Sequence, residues 1–260
     1  MDILRRVLII SDLHSGHRSG LTHPKYQGMY PDQQYNLIQS ELWSEYAKMV
    51  SAIKPIDTLI INSDCIDGKG ERSGGVELIS SDINVQIDMV VSAISIIEPK
   101  HTILTKGTPY HTGVETDYEV MIAKLLNADL IGDHVWVDIE GLIFDLRHHI
   151  SNSTVPHGKG TPLLKEYLWN ILWSEMKESQ PKSDIIIRSH VHSFCYIGGP
   201  NYLCMTTPAL QGVGTQFGGR KCSQTVDFGL VWFDVNNKDD WNWSFDVRVV
   251  NSQKIEPFRV

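Results

Sequence analysis

Four stretches of this chain, residues 7–10, 58–61, 101–105 and 184–188, are short and dominated by apolar residues, and each gives way to a polar loop. Runs of this length, closed by turn residues, mark strands buried on both faces, and such strands belong to α/β sheets covered by helices. The loops then constrain function. They open with Asp12 and His14, with Asp64, with the segment Gly107-Thr108-Pro109-Tyr110-His111, and with His190 and His192. A fifth exit, His148-His149, follows a predicted hairpin of residues 135–139 and 142–147 around Glu140-Gly141. In open α/β sheets ligands bind beyond the carboxyl ends of the strands, so these five loops are expected to converge.

Between the strands, apolar residues recur at helical spacing. The clearest case is 32–53, with Leu37, Leu42, Tyr46, Met49, Val50 and Ile53 on one face and Pro55 closing the segment. Further helices are predicted over 81–98, 115–127 and 161–178. After residue 188 the pattern changes to hairpins, 195–197 with 202–205 and 229–235 with 243–250. There is no repeat, linker or low-complexity stretch. The reading is one domain over 1–260, strand and helix alternating first and antiparallel strands last, with two packed sheets flanked by helices.

Composition narrows the function classes. At 42% hydrophobic and 21% charged, the 260 residues suit a soluble globular protein. No apolar run approaches the ~18 residues of a membrane span. The first residues lack a signal-peptide pattern, and the four cysteines form no CxxC pair, so a reducing cytoplasm is expected. The net charge, 23 − 31 = −8, argues against a broadly basic nucleic-acid face but leaves a local one open.

Asp12-x-His14 and His190-x-His192 each set two donors on one side of an extended segment. Mixed oxygen and nitrogen donors suit Mn, Fe, Zn or Ni better than Ca or Mg. Two carboxylates and four imidazoles exceed what one tetrahedral ion needs. They match two ions sharing a carboxylate, spaced ~3.5–4 Å apart as in phosphatases and nucleases. Each pair alone is weak: a DxH arises by chance, and Asp64 and Asp67 also serve as turn residues before Gly68. Their order at successive strand ends is the stronger signal.

That order, Asp12-x-His14, Asp64-x-x-Asp67-Gly68, Gly107…His111, His148 and His190-x-His192, resembles the calcineurin-like metallophosphoesterases over residues 7–210. The family pattern is DxH, GDxxD, GNH, a lone His and GHxH. Ser63 and Ser189 stand where the family has Gly. The third motif lacks the usual Asn: Thr108 follows Gly107 and His111 comes two residues late. This Gly-Thr-Pro-Tyr-His form is similar to a phage and prophage branch, which implies a phage-encoded protein acting in a host cytoplasm.

The resemblance implies a four-layer αββα sandwich of two mixed sheets. It implies two divalent cations, manganese first, with iron, zinc or nickel as alternatives. Asp12, His14 and His192 would hold one, His148 and His190 the other, and Asp64 would bridge, with Thr108 or a water in place of the Asn. His148 is preferred to His149, which would touch substrate or support a ligand. The implied reaction is hydrolysis of a phosphate ester by a hydroxide bridging the cations, with His111 beside the leaving oxygen. A phosphodiesterase or nuclease acting on nucleotides or short strands is placed slightly ahead of a phosphomonoesterase. A non-catalytic scaffold of the same fold is the competing class, and a mononuclear hydrolase such as an amidase is a third. Arg72 and Lys69, in the loop after Asp64, are weaker candidates for substrate contact. Residues 211–221, rich in glycine, would be a lip over the site or a plain surface loop.

Overall fold

The structure, a computed structural model, describes residues 4–113, 116–176, 180–215, 219, 225–253 and 257–259. The apolar runs are strands: β1 (Arg5–Ile10), β2 (Thr58–Ile61), β3 (His101–Thr105) and β7 (Ile185–Arg188). β1, β2 and β3 pair in parallel and continue to a short edge strand, β4 (Leu130–Gly132). On the other side of β1 lies the antiparallel hairpin β10 (Phe228–Asn237) and β11 (Asp240–Arg248). This six-stranded sheet runs β11-β10-β1-β2-β3-β4. The second sheet, five-stranded, runs β5-β6-β7-β9-β8, with β5 (Val135–Ile139), β6 (Leu142–Leu146), β8 (Cys195–Gly199) and β9 (Tyr202–Thr206).

The continuous apolar runs are explained by burial on both faces. In β1, Leu8 and Ile10 point into a core shared with α1 (Gln33–Ile53), α2 (Ile83–Ile94) and α4 (Tyr118–Leu125). Val7 and Ile9 point the other way, into a core between the sheets with Phe144, Ile185, Ile187 and Phe233. The outer face of the second sheet buries Ile186 and Cys204 against Leu163 of α5 (Thr161–Glu175). The layers are therefore helix, sheet, sheet, helix, and both sheets are mixed. Trp241 and Trp243 pack at the margin of the inter-sheet core.

The helices start where aspartates cap them. Asp32 accepts from the Gln34 N–H, Asp82 from Asn84, and Asp117 from Glu119 and Val120. These caps correct two boundaries. The second helix spans Ile83–Ile94 instead of 81–98, and the third starts at Tyr118. Residues 114–115, within the expected third helix, and 177–179, at the expected end of the fourth, lie outside the described residues. The expectation of antiparallel strands last holds only in part, because β9 pairs parallel with β7.

Candidate metal centre

The loops after β1, β2, β3, β6 and β7 meet where the two sheets abut. Backbone bonds lock the first two together: Asp12 N–H donates to the Ser63 carbonyl and His14 N–H to that of Asp64. Asp12, His14, Ser63, Asp64, His190 and His192 all hold positive φ, between 43° and 71°. That conformation is unfavourable for residues with a Cβ, and its concentration here marks a site whose donors are aimed at some cost in strain. Ser63, standing where the family has Gly, is among them.

Three overlapping donor groups result: Asp12 with His14 and His192, His14 with Asp64 and His111, and Asp64 with His148 and His190. Within each group one donor atom per residue lies within 4.8 Å of the others. His14 Nε2 and His192 Nε2 approach to 3.2 Å, and His192 Nε2 is 3.2 Å from Asp12 Oδ1. His148 Nε2 is 2.9 Å from Asp64 Oδ2.

The bonding of these groups suits cations. Asp12 Oδ1 and His148 Nε2 are buried, yet neither makes a hydrogen bond of acceptable geometry. His148 Nδ1 donates to the Asn62 carbonyl at 2.7 Å, which orients the ring and turns Nε2 into the site. Buried polar atoms without partners are rare, and two of them 3.9 Å apart within the donor groups fit a metal site.

The field inside the site points the same way. Burial opposes charge on Asp12, but His192 and His148 hold its carboxyl at about 2. Burial likewise opposes charge on Asp64, and His148 and His190 hold it well below the usual range. Burial and the neighbouring His111 push His14 down to about 4, so it is a neutral donor. Burial would lower His148 too, yet Asp64 and Asp12 raise it to about 10. A proton there answers the same negative potential that a cation would.

The third loop is where the sequence departs most from the resemblance, and a helical turn resolves it. Residues Pro109–Thr112 form α3, with Thr108 as its N-cap residue and Pro109 in the first turn. The turn takes up the two extra residues and brings His111 within 4.6 Å of the His14 ring, centroid to centroid. His111 Nδ1 donates to the Asp67 carbonyl at 2.9 Å, leaving Nε2 free of that bond. Thr108 faces Asp64: its N–H lies 2.9 Å from Oδ1 and its Oγ1 is 3.2 Å from both carboxylate oxygens.

Of the other candidates, His149 is exposed, its ring 4.8 Å from that of His190, while His148 is buried. Lys69 is exposed. The Arg72 side chain lies outside the described residues, as do 216–218 and 220–221 of the glycine-rich loop. Arg147 pairs with Glu166, and buried Arg188 pairs with Asp145 and Glu166, so neither extends a free cation into the site.

Two supporting residues escaped the sequence reading. Glu119 of α4 is buried beneath the site and accepts from Ser63 Oγ, from Cys65 N–H at 3.2 Å and from Gly107 N–H at 2.6 Å. It ties the second loop to the third. Burial, and then Asp64, raise its carboxyl to about 7. Asn62, also buried, orients His148 through its carbonyl and bonds Ser189 Oγ at 2.6 Å through its side chain. Ser189 and Ser63 thus use their hydroxyls in the network under the donors.

No family model matches the chain, and no curated protein matches it. Solved structures do. A novel archaeal phosphodiesterase is 13% identical, covering 92% of this chain and 99% of its own, with a TM-score of 0.47. Zinc-complexed Vps29 from Entamoeba histolytica is 11% identical, covering 93% and 98%, at 0.43. A conserved predicted phosphoesterase from Streptococcus pneumoniae is 8% identical, covering 94% and 90%, at 0.41. At identities this low, the chemistry has to be read from the side chains.

Proposed function

We propose that this protein is a metal-dependent phosphoesterase of the calcineurin-like type, with two divalent cations. The observation that carries the reading is the set of three overlapping donor groups, sharing His14 and Asp64, with buried donor atoms left unbonded. Asp12, His14 and His192 would hold one cation and His148 and His190 the other, with Asp64 shared. Bound cations of this kind supply Lewis acidity toward phosphoryl oxygens and a nucleophilic hydroxide near neutral pH.

The chain's own residues would do the rest. Asn62 keeps His148 in the donor tautomer. Thr108 holds the Asp64 carboxylate through two donors. His111, oriented by the Asp67 carbonyl, presents Nε2 as the proton donor to a leaving alkoxide. His14, neutral at physiological pH, does not compete for that role.

A phosphodiester is the substrate we place first, in a nucleotide or a short single strand. Among the described residues, the two arginines that precede donor loops, Arg147 and Arg188, are already paired with Glu166 and Asp145, which leaves them less apt to take the second charge of a monoester dianion. The test is hydrolysis of bis-p-nitrophenyl phosphate and p-nitrophenyl phosphate with Mn²⁺ added or chelated. Diester turnover that chelation abolishes is expected. No turnover with Mn, Fe, Zn or Ni would overturn the enzymatic reading and leave a non-catalytic scaffold.

A further inference from the structure

α5 is apolar on both sides. Leu163 seats it on the second sheet, and buried Asn170 bonds the Pro181 carbonyl and the Ser183 N–H ahead of β7. Its outer side carries Leu164, Leu168, Leu172 and Met176 as one i, i+4 ridge, with Trp169 and Trp173 beside them, all exposed. Leu168, Trp169 and Met176 each leave more than half of their surface to solvent. A surface helix normally turns its polar side outward. These six side chains expose roughly 600 Å² together, the upper end of what a monomer shows as a single apolar patch. Two such patches would bury roughly 1,200 Å², the lower bound of a specific interface.

The order of residues along the ridge says what covers it. We infer that the occupant is a second copy of this chain, the two α5 helices packing antiparallel about a two-fold axis at Asn170. That pairing sets Leu168 of one copy against Leu172 of the other and Leu164 against Met176. It also sets Lys165 against Glu175. Both are exposed, and among the described residues neither enters an ion pair. The two-fold repeats every pair, so the Lys165–Glu175 contact is made twice. In-register parallel packing would set Lys165 against Lys165 instead. A surface shaped for an unrelated partner has no need of this mirrored order.

The experiment is sedimentation equilibrium of the full chain, with thermal melts alongside. Wild type is expected to dimerise in the micromolar range, and L168E/L172E to stay monomeric with an unchanged melting midpoint. K165E and E175K should each raise the dimer dissociation constant at least about tenfold through like-charge contacts, and K165E/E175K should return it to within about threefold of wild type. The charge variants sit on the surface and decide the matter even if L168E/L172E misfolds. Wild type that stays monomeric to about 200 µM, far above the range expected of an interface this size, would overturn the inference. So would a dimer indifferent to L168E/L172E, or a double charge reversal no better than its single parents.

Discussion

Gly107 tests whether the third loop is held as tightly as its bonding implies. A Cβ at this position would lie 2.1 Å from Asp64 Oδ1, 2.6 Å from Ser63 Oγ and 2.9 Å from Asp64 N, all closer than real Cβ contacts. Restoring van der Waals contact needs a shift of about 1 Å in the loop or in the Asp64 carboxylate. The carboxylate is held by Thr108 and faces His148, so the loop is the part that gives. Moving it lengthens the 2.6 Å bond from Gly107 N–H to Glu119. Overpacking of this kind costs about 1–3 kcal/mol. Weakening a hydrogen bond to a charged group adds about 1–2 kcal/mol. For G107A we expect a loss of about 2–5 kcal/mol, or about 4–20 °C in Tm for a chain of this size. A displacement of that size beside the reacting centre should lower diester turnover about 100-fold. Thermal melts and initial rates on bis-p-nitrophenyl phosphate read both. G160A is the control, since its Cβ would meet only Ile197 Cδ1, at 3.4 Å. If G107A melts within about 2 °C of wild type and keeps half its rate, the third loop is not fixed as described.

H148A should weaken binding of at least one cation by about 10–100-fold, whereas H149A leaves the metal content unchanged; isothermal titration with Mn²⁺ separates them. H111Q should lower turnover about 100–1,000-fold without changing metal content, and wild-type turnover in H111Q would remove the proton-donor role. In chelator-treated protein, His148, raised from 6.5 to about 10, stabilises the fold fully below pH 6.5. That contribution fades as pH rises towards 10, so urea midpoints should fall over this window in wild type and fall less in H148A. E119A strands the Ser63 hydroxyl and the Cys65 and Gly107 N–H groups, and should cost about 3–5 kcal/mol in denaturant unfolding.

What could be read from the sequence follows from where each signal resides. The strands were legible because burial on both faces removes polar residues from 7–10 and leaves only Thr58 in 58–61. The donors were legible because they sit at the ends of those runs. Glu119 was not: in the first turn of a helix capped by Asp117 it reads as an ordinary favourable charge at a helix start. Only tertiary packing carries it under Ser63 and Gly107. Asn62 acts chiefly through its carbonyl, which no side-chain motif reveals. α3 did leave a trace. Thr108-Pro109 is an N-cap followed by proline in the first turn, and it foretells a helical turn that brings His111 back to the site. β4, three residues long, is too short for any periodicity to register.

The five loops are expected to build a centre for two cations. Anomalous-difference maps from crystals grown with Mn²⁺ test it most directly. Two peaks about 3.5–4 Å apart are expected, one among Asp12, His14 and His192 and one between His148 and His190, with Asp64 touching both. A single peak, or peaks away from these residues, would contradict it.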